Sequence, residues 1–114
     1  MNANEMAVAL SLRWCIHGRT APAALAMVRA AGFSHVELCG MDRDCARWWL
    51  RAQSRLDLRA VSIHAPCPDE VRDGRRYPGD WLLHEDQHLH AAALQFGRET
   101  VRFARRAGVP QVVF

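Results

Sequence analysis

The chain has no lysine: its 15 Lys+Arg positions are all arginine, and the formal charge of +3 rests on guanidinium groups alone. Arginine suits carboxylate and phosphate recognition, because its planar fork donates two hydrogen bonds at once. These arginines are spread along the chain, mostly where a helix would turn a polar face to water. Solvated helix faces are therefore the expected reading, ahead of a nucleic-acid surface. No apolar run approaches the ~20 residues of a bilayer span, so no transmembrane helix is expected. The N-terminal Met-Asn-Ala-Asn-Glu lacks a basic region followed by an apolar one. No signal peptide is read there, which leaves cytoplasm as the default location. The four cysteines (Cys15, Cys39, Cys45, Cys67) form no Cys-x-x-Cys pair and no zinc-finger spacing. Buried free thiols are expected. Cys67 lies in a loop, where a catalytic thiol is conceivable, but no helix N-terminus or basic neighbour marks it as activated. Low-complexity segments are also missing.

What is present fits one modest domain: 114 residues, 50% hydrophobic and 24% charged. The stretch that organises the rest is Arg59–Pro68, Arg-Ala-Val-Ser-Ile-His-Ala-Pro-Cys-Pro. Strand-forming residues deliver His64 to a point where two prolines stop regular structure, and strand ends facing loops are where α/β enzymes keep their chemistry. Before it, the apolar Met6–Ile16 reads as a buried strand, with His17-Gly18-Arg19 as a loop. Thr20 as N-cap, Pro22 in the first turn and Gly32 as a stop predict a helix over Ala21–Ala31. Phe33–Leu38 reads as a second strand. Asp42 or Asp44 can cap a second helix carrying Cys45, Trp48, Trp49, Ala52 and Leu56. Adjacent tryptophans cannot share a direction on a helix, so one is expected on the sheet and the other elsewhere.

Ala65–Asp80, with Pro66, Pro68, Asp73-Gly74 and Pro78-Gly79, reads as a long loop of the kind used for lids or binding. From about Glu85, Leu89, Ala92, Phe96, Thr100, Phe103 and Ala107 recur at helical spacing, and Gly108 closes the helix. Val109–Phe114 begins a fourth strand. The order β-α-β-α-β-α-β argues for an α/β fold with a parallel sheet. A (β/α)₈ TIM barrel needs ~250 residues, so the chain reads as its first half, a partial domain ending on an apolar strand. Exposed edges of that kind invite pairing with a second copy or another chain.

Three stretches then carry a family likeness: Ala-Gly-Phe-Ser-His-Val-Glu-Leu (Ala31–Leu38), Val-Ser-Ile-His-Ala-Pro (Val61–Pro66) and Ala-Arg-Arg-Ala-Gly-Val-Pro-Gln-Val-Val-Phe (Ala104–Phe114). In order and spacing they resemble the xylose isomerase-like TIM-barrel superfamily of sugar isomerases, sugar-phosphate epimerases and endonuclease IV. The likeness covers most of the chain from the first helix on. It implies a sugar or sugar-phosphate isomerase or epimerase that moves a proton beside a carbonyl. A divalent ion (Mn, Mg, Co or Zn) would polarise the substrate oxygens. Glu37 matches the glutamate at the active-site end of strand two. His64 matches the strand-three histidine, a metal ligand in endonuclease-type members and a substrate-pocket residue in several isomerases. The family's main metal ligands come from strands five to eight, which this sequence does not contain. Full-length relatives would take small sugars or their phosphates, with no membrane.

His17, Glu37 and His64 are thus the candidate substrate-binding residues, with His64 also a candidate metal ligand and no catalytic residue assigned. The plainer alternatives are a His64 ring bonded to a loop carbonyl, a Glu37 carboxylate paired with an arginine, and His17 as an ordinary loop histidine. His84-Glu85-Asp86-Gln87-His88 fits His-Glu-x-x-His, the zinc-protease signature, if a helix begins by His84. Ala91 and Leu94 stand where the longer signature needs Gly and His, so a solvated helix start is expected instead. An abasic-site DNA repair enzyme of the endonuclease IV type and a non-catalytic, self-associating half-barrel are the alternative functions. The scattered arginines favour the sugar enzyme.

Overall fold

The computed structural model describes residues 8–68, 71–72, 75–76 and 85–114, with 71–72 and 75–76 described for backbone only. Its strands are β1 (Ala9–Ser11), β2 (His35–Leu38), β3 (Arg59–His64), β4 (Val71–Arg72), β5 (Arg75–Arg76) and β6 (Val112–Val113). Its α-helices are α1 (Ala21–Ala30), α2 (Arg43–Ala52) and α3 (Gln87–Ala107). One sheet has the order β1-β2-β3-β6, all parallel, and β4 with β5 forms a separate antiparallel pair. Each strand of the main sheet lies beside its neighbour in the sequential βα series. The fold is therefore α/β with a four-stranded parallel sheet and three helices.

Local chemistry sets the helix ends. Thr20 Oγ1 accepts from the Ala23 N–H, and Pro22 sits in the first turn of α1, where no N–H is required. Asp42 Oδ1 accepts from the Cys45 N–H at 2.8 Å, and Asp86 Oδ1 takes the His88 and Leu89 N–H groups. α3 ends on Gly108 at φ 67°, a left-handed cap that a Cβ would strain. The Cys45 N–H is also the first cause holding the Asp42 carboxyl below its ordinary value. A lowered folded pKa means that the cap's contribution is complete above the unfolded value and lost as pH falls through the folded one. Asp42→Ala is expected to cost about 1 kcal/mol at neutral pH. In urea unfolding, its gap from wild type should close as the medium is made acidic enough to protonate Asp42 in the folded state, below the ordinary carboxylate range.

One core joins all three helices to one face of the sheet. Ala24, Leu25 and Val28 of α1, Ala46 and Trp49 of α2, and Phe103 and Ala104 of α3 cluster with Val36, Leu38, Ala60 and Ile63. Of the tryptophan pair, Trp49 is the buried one and Trp48 packs partly buried against the same cluster.

Three expectations need correcting. The first strand is only Ala9–Ser11 among the described residues; the chain then turns into a 3₁₀ segment, Leu12–Trp14, which buries Leu12 and leaves Trp14 79% exposed. An apolar run by itself does not separate strand from tight turn. The fourth strand narrows to Val112–Val113, because Val109 N–H is spent on the Ala104 carbonyl and Pro110 has none to give. The long post-β3 segment also contains the β4–β5 pair, formed on either side of Asp73-Gly74.

The start of that segment is anchored from below. The Cys67 N–H donates to Thr100 Oγ1 at 2.9 Å, and the Thr100 hydroxyl donates to the Phe96 carbonyl. Thr100 is fully buried in mid-helix, so its hydroxyl serves the loop rather than water. Thr100→Val keeps the shape and strands the Cys67 N–H. We expect a loss of about 1–3 kcal/mol in urea unfolding.

Candidate functional site

Period-two alternation divides each strand between the core and the opposite face of the sheet. On β2, Val36 and Leu38 enter the core, so His35 and Glu37 face away from it. β3 carries an irregularity: Val36 pairs with Ala60, yet Glu37 pairs with Ser62, and Val61 is the extra residue. That bulge keeps Ala60 and Ile63 both in the core and turns Ser62 and His64 to the Glu37 face. On β1, Ser11 pairs with Glu37, and on β6, Val113 pairs with His64. Ser11, Glu37, Ser62 and His64 thus form one polar row near the C-terminal ends of three adjacent parallel strands.

One hydrogen bond lies within this row. The Ser62 hydroxyl donates to Glu37 Oε2 at 3.1 Å. Glu37 is half-buried, and among the described residues it makes no ion pair; its partner there is the Ser62 hydroxyl. His64 Nδ1 lies 3.0 Å from the Ala65 carbonyl oxygen. A carbonyl only accepts, so Nδ1 carries the proton and the neutral ring keeps its lone pair on Nε2. The plain reading of His64 thus holds for one ring nitrogen and leaves the other for a ligand.

The thiol of Cys39, just past β2, extends the row. Cys39 Sγ stands 3.5 Å from Ser11 Oγ. Burial pushes this thiol up first, and the Glu37 charge adds to it. The Ser11 hydroxyl, the Arg13 N–H and the Arg13 charge pull the other way. The Arg13 main chain therefore meets Cys39, and its guanidinium is close enough to act on the thiol. Ser11, Arg13, Cys39 and Ser62 were not singled out from sequence. Alternation along Val61-Ser62-Ile63-His64 gave a usable signal for Ser62 alone.

His17 is not joined to this row. It is exposed in the turn before α1, where its carbonyl accepts from Arg19, and no hydrogen bond links its ring to Glu37 or His64 among the described residues. Cys67 is fully buried, which removes it as a nucleophile open to substrate. Of the His-Glu-x-x-His stretch, His84 lies outside the described residues. Glu85 and Asp86 precede α3, so the helix does not supply the one-turn spacing a zinc pair needs. No group of three or more His, Cys, Asp or Glu side chains able to hold a metal ion exists among the described residues. Glu37 and His64 offer two donors, short of the three protein ligands of a typical catalytic metal site.

No helix among the described residues is long and apolar enough to cross a membrane. Comparison with family models, with curated proteins and with solved structures returned no match.

Proposed function

We propose that the Glu37–Ser62–His64 row binds a polyhydroxylated small molecule, and that the protein is a sugar or sugar-phosphate isomerase- or epimerase-like half of a (β/α)₈ barrel. The observation that carries this is the hydrogen-bonded carboxylate on the same sheet face as a histidine whose Nε2 has no partner among the described residues, both at the C-terminal ends of adjacent parallel strands. That end of a parallel βα sheet is where ligands bind. The sequential strand order, with three helices on one core, supports the barrel reading over a doubly wound sheet.

The chemistry follows from which groups accept. Glu37 gives one oxygen to Ser62 and keeps the other, and His64 Nε2 is a second acceptor. Two acceptors on one face of adjacent strands suit the hydroxyl donors of a sugar. The Glu37 carboxylate can also take a proton from a carbon beside a carbonyl, the step that interconverts aldose and ketose or inverts a centre. The divalent ion that the family likeness implies does not fit the two donors present, and no step here runs through it.

The test is an NMR titration with neutral aldoses, ketoses and their phosphate esters, following the His64 ring and the Glu37 and Ser62 amides. Saturable shifts confined to the C-terminal strand ends are expected. Shifts elsewhere, or none at millimolar sugar, would overturn the reading.

A further inference from the structure

Arg13 stands next to the polar row, exposed, with no ion pair and no side-chain hydrogen bond among the described residues. It lies in the 3₁₀ segment Leu12–Trp14, which directly follows β1. That segment is held by the buried Leu12 and by the bond from the Arg13 N–H to the Cys39 thiol. Ser11, the last residue of β1, pairs with Glu37 in the sheet, and its hydroxyl stands 3.5 Å from Cys39 Sγ. The Cys39 thiol therefore locates two charges at once, since both the Glu37 carboxylate and the Arg13 guanidinium act on it. Both charges lie at the C-terminal ends of β1 and β2, yet they form no ion pair with each other.

Other arginines are differently occupied or differently placed. Arg19, in the next turn, gives Nη1 to the Cys15 and His17 carbonyls, and Arg29 is paired with Asp57 at 2.6 Å. Arg59 opens β3 and so belongs to the opposite end of the sheet. An unbonded guanidinium on a helix face is only a solvated charge. One held at the C-terminal end of a parallel βα sheet stands where ligands bind. Its planar fork can give two parallel hydrogen bonds to the oxygens of an anion. A phosphate monoester offers about two negative charges and three acceptor oxygens. The site then has two complementary parts: acceptors for hydroxyl groups at Glu37 and His64, and a cationic donor at Arg13.

We propose that Arg13 is the anion-recognition residue at this end of the sheet, taking the phosphate group of a phosphorylated ligand. That the rest of the ligand is a sugar rests on the proposed role of the polar row; the anion site itself does not. The probes are inorganic phosphate, fructose and a fructose monophosphate, titrated separately while NMR follows the amides of Arg13, Cys39, Glu37 and Ser62. The ester should bind at least about tenfold tighter than fructose, with the gap narrowing as salt rises. Inorganic phosphate should shift the Arg13 and Cys39 amides and leave Ser62 in place. Arg13→Gln, at an exposed position outside the core, should erase both the ester's advantage and the phosphate shifts, with circular dichroism confirming that the variant is folded. Arg13-dependent binding of phosphate and of the ester, with no response to fructose and none at Glu37 or Ser62, would sustain the anion site while the sugar reading fails. Equal affinity for fructose and its ester would overturn the proposal and leave the sugar reading standing. So would an ester advantage that survives Arg13→Gln with shifts over 71–76, which would assign the phosphate to Arg72, Arg75 and Arg76 of the β4–β5 hairpin. No shift at Arg13 or Cys39 with any of the three probes would also overturn it.

Discussion

Trp49→Ala should lower unfolding free energy by about 3–5 kcal/mol, read as a drop in the urea midpoint at unchanged slope. Trp49 is 1% exposed and is the largest fully buried side chain among the described residues, placed where α2 meets the common core. Removing the indole takes away transfer energy and also leaves a cavity that a close-packed interior fills only in part. A domain of this size has about 5–15 kcal/mol to lose, so the variant should be partly unfolded on mild warming. Its Nε1–H has no hydrogen-bond partner among the described residues. A buried donor left unpaired carries a penalty of about 1–3 kcal/mol, and Trp49→Phe removes that donor while retaining an aromatic ring. Trp49→Phe should therefore cost less than half of what Trp49→Ala costs. Equal costs would mean that the indole's packing is specific throughout and that its N–H is of no consequence.

The second large effect concerns Glu37. On the proposed reading, Glu37→Gln should lower turnover by about 10²–10⁴-fold, the range for removing a general base. Glutamine keeps the shape and can still accept from Ser62 through its amide oxygen, so sugar binding should change by only a few-fold. The split between turnover and binding identifies a proton-transfer role, because loss of a positioning contact would weaken binding too. On the same reading, His64→Ala should do the converse and raise KM, because the proposed sugar contact is made by Nε2 while Nδ1 stays bonded to the Ala65 carbonyl.

Much of the fold was legible because helix punctuation is local. Thr20, Pro22 and Gly32 bracket α1, Asp42 caps α2, Gly108 ends α3, and β3 falls on the expected residues. β1 was not legible, because an apolar run carries no mark for the point at which pairing stops and the 3₁₀ turn begins. The site was half legible. Glu37 and His64 share a face, but the residue bonded to Glu37 is Ser62, and that depends on a bulge at Val61 within a parallel register. Register between strands 25 residues apart is a tertiary property with no local signal. Arg13 and Cys39 were missed for the same reason: they meet only once β1 and β2 are paired. His17 drew notice as a histidine after strand one, yet its placement in an exposed turn is set by the 3₁₀ segment before it.

The central claim is that the Glu37–Ser62–His64 row moves a proton on a bound sugar. Incubating the protein with aldoses and ketoses in D₂O, and following the C–H signal beside the carbonyl by proton NMR, tests it most directly. The account predicts deuterium incorporation that wild type catalyses and Glu37→Gln does not. No incorporation by wild type, or equal incorporation by the variant, would contradict it.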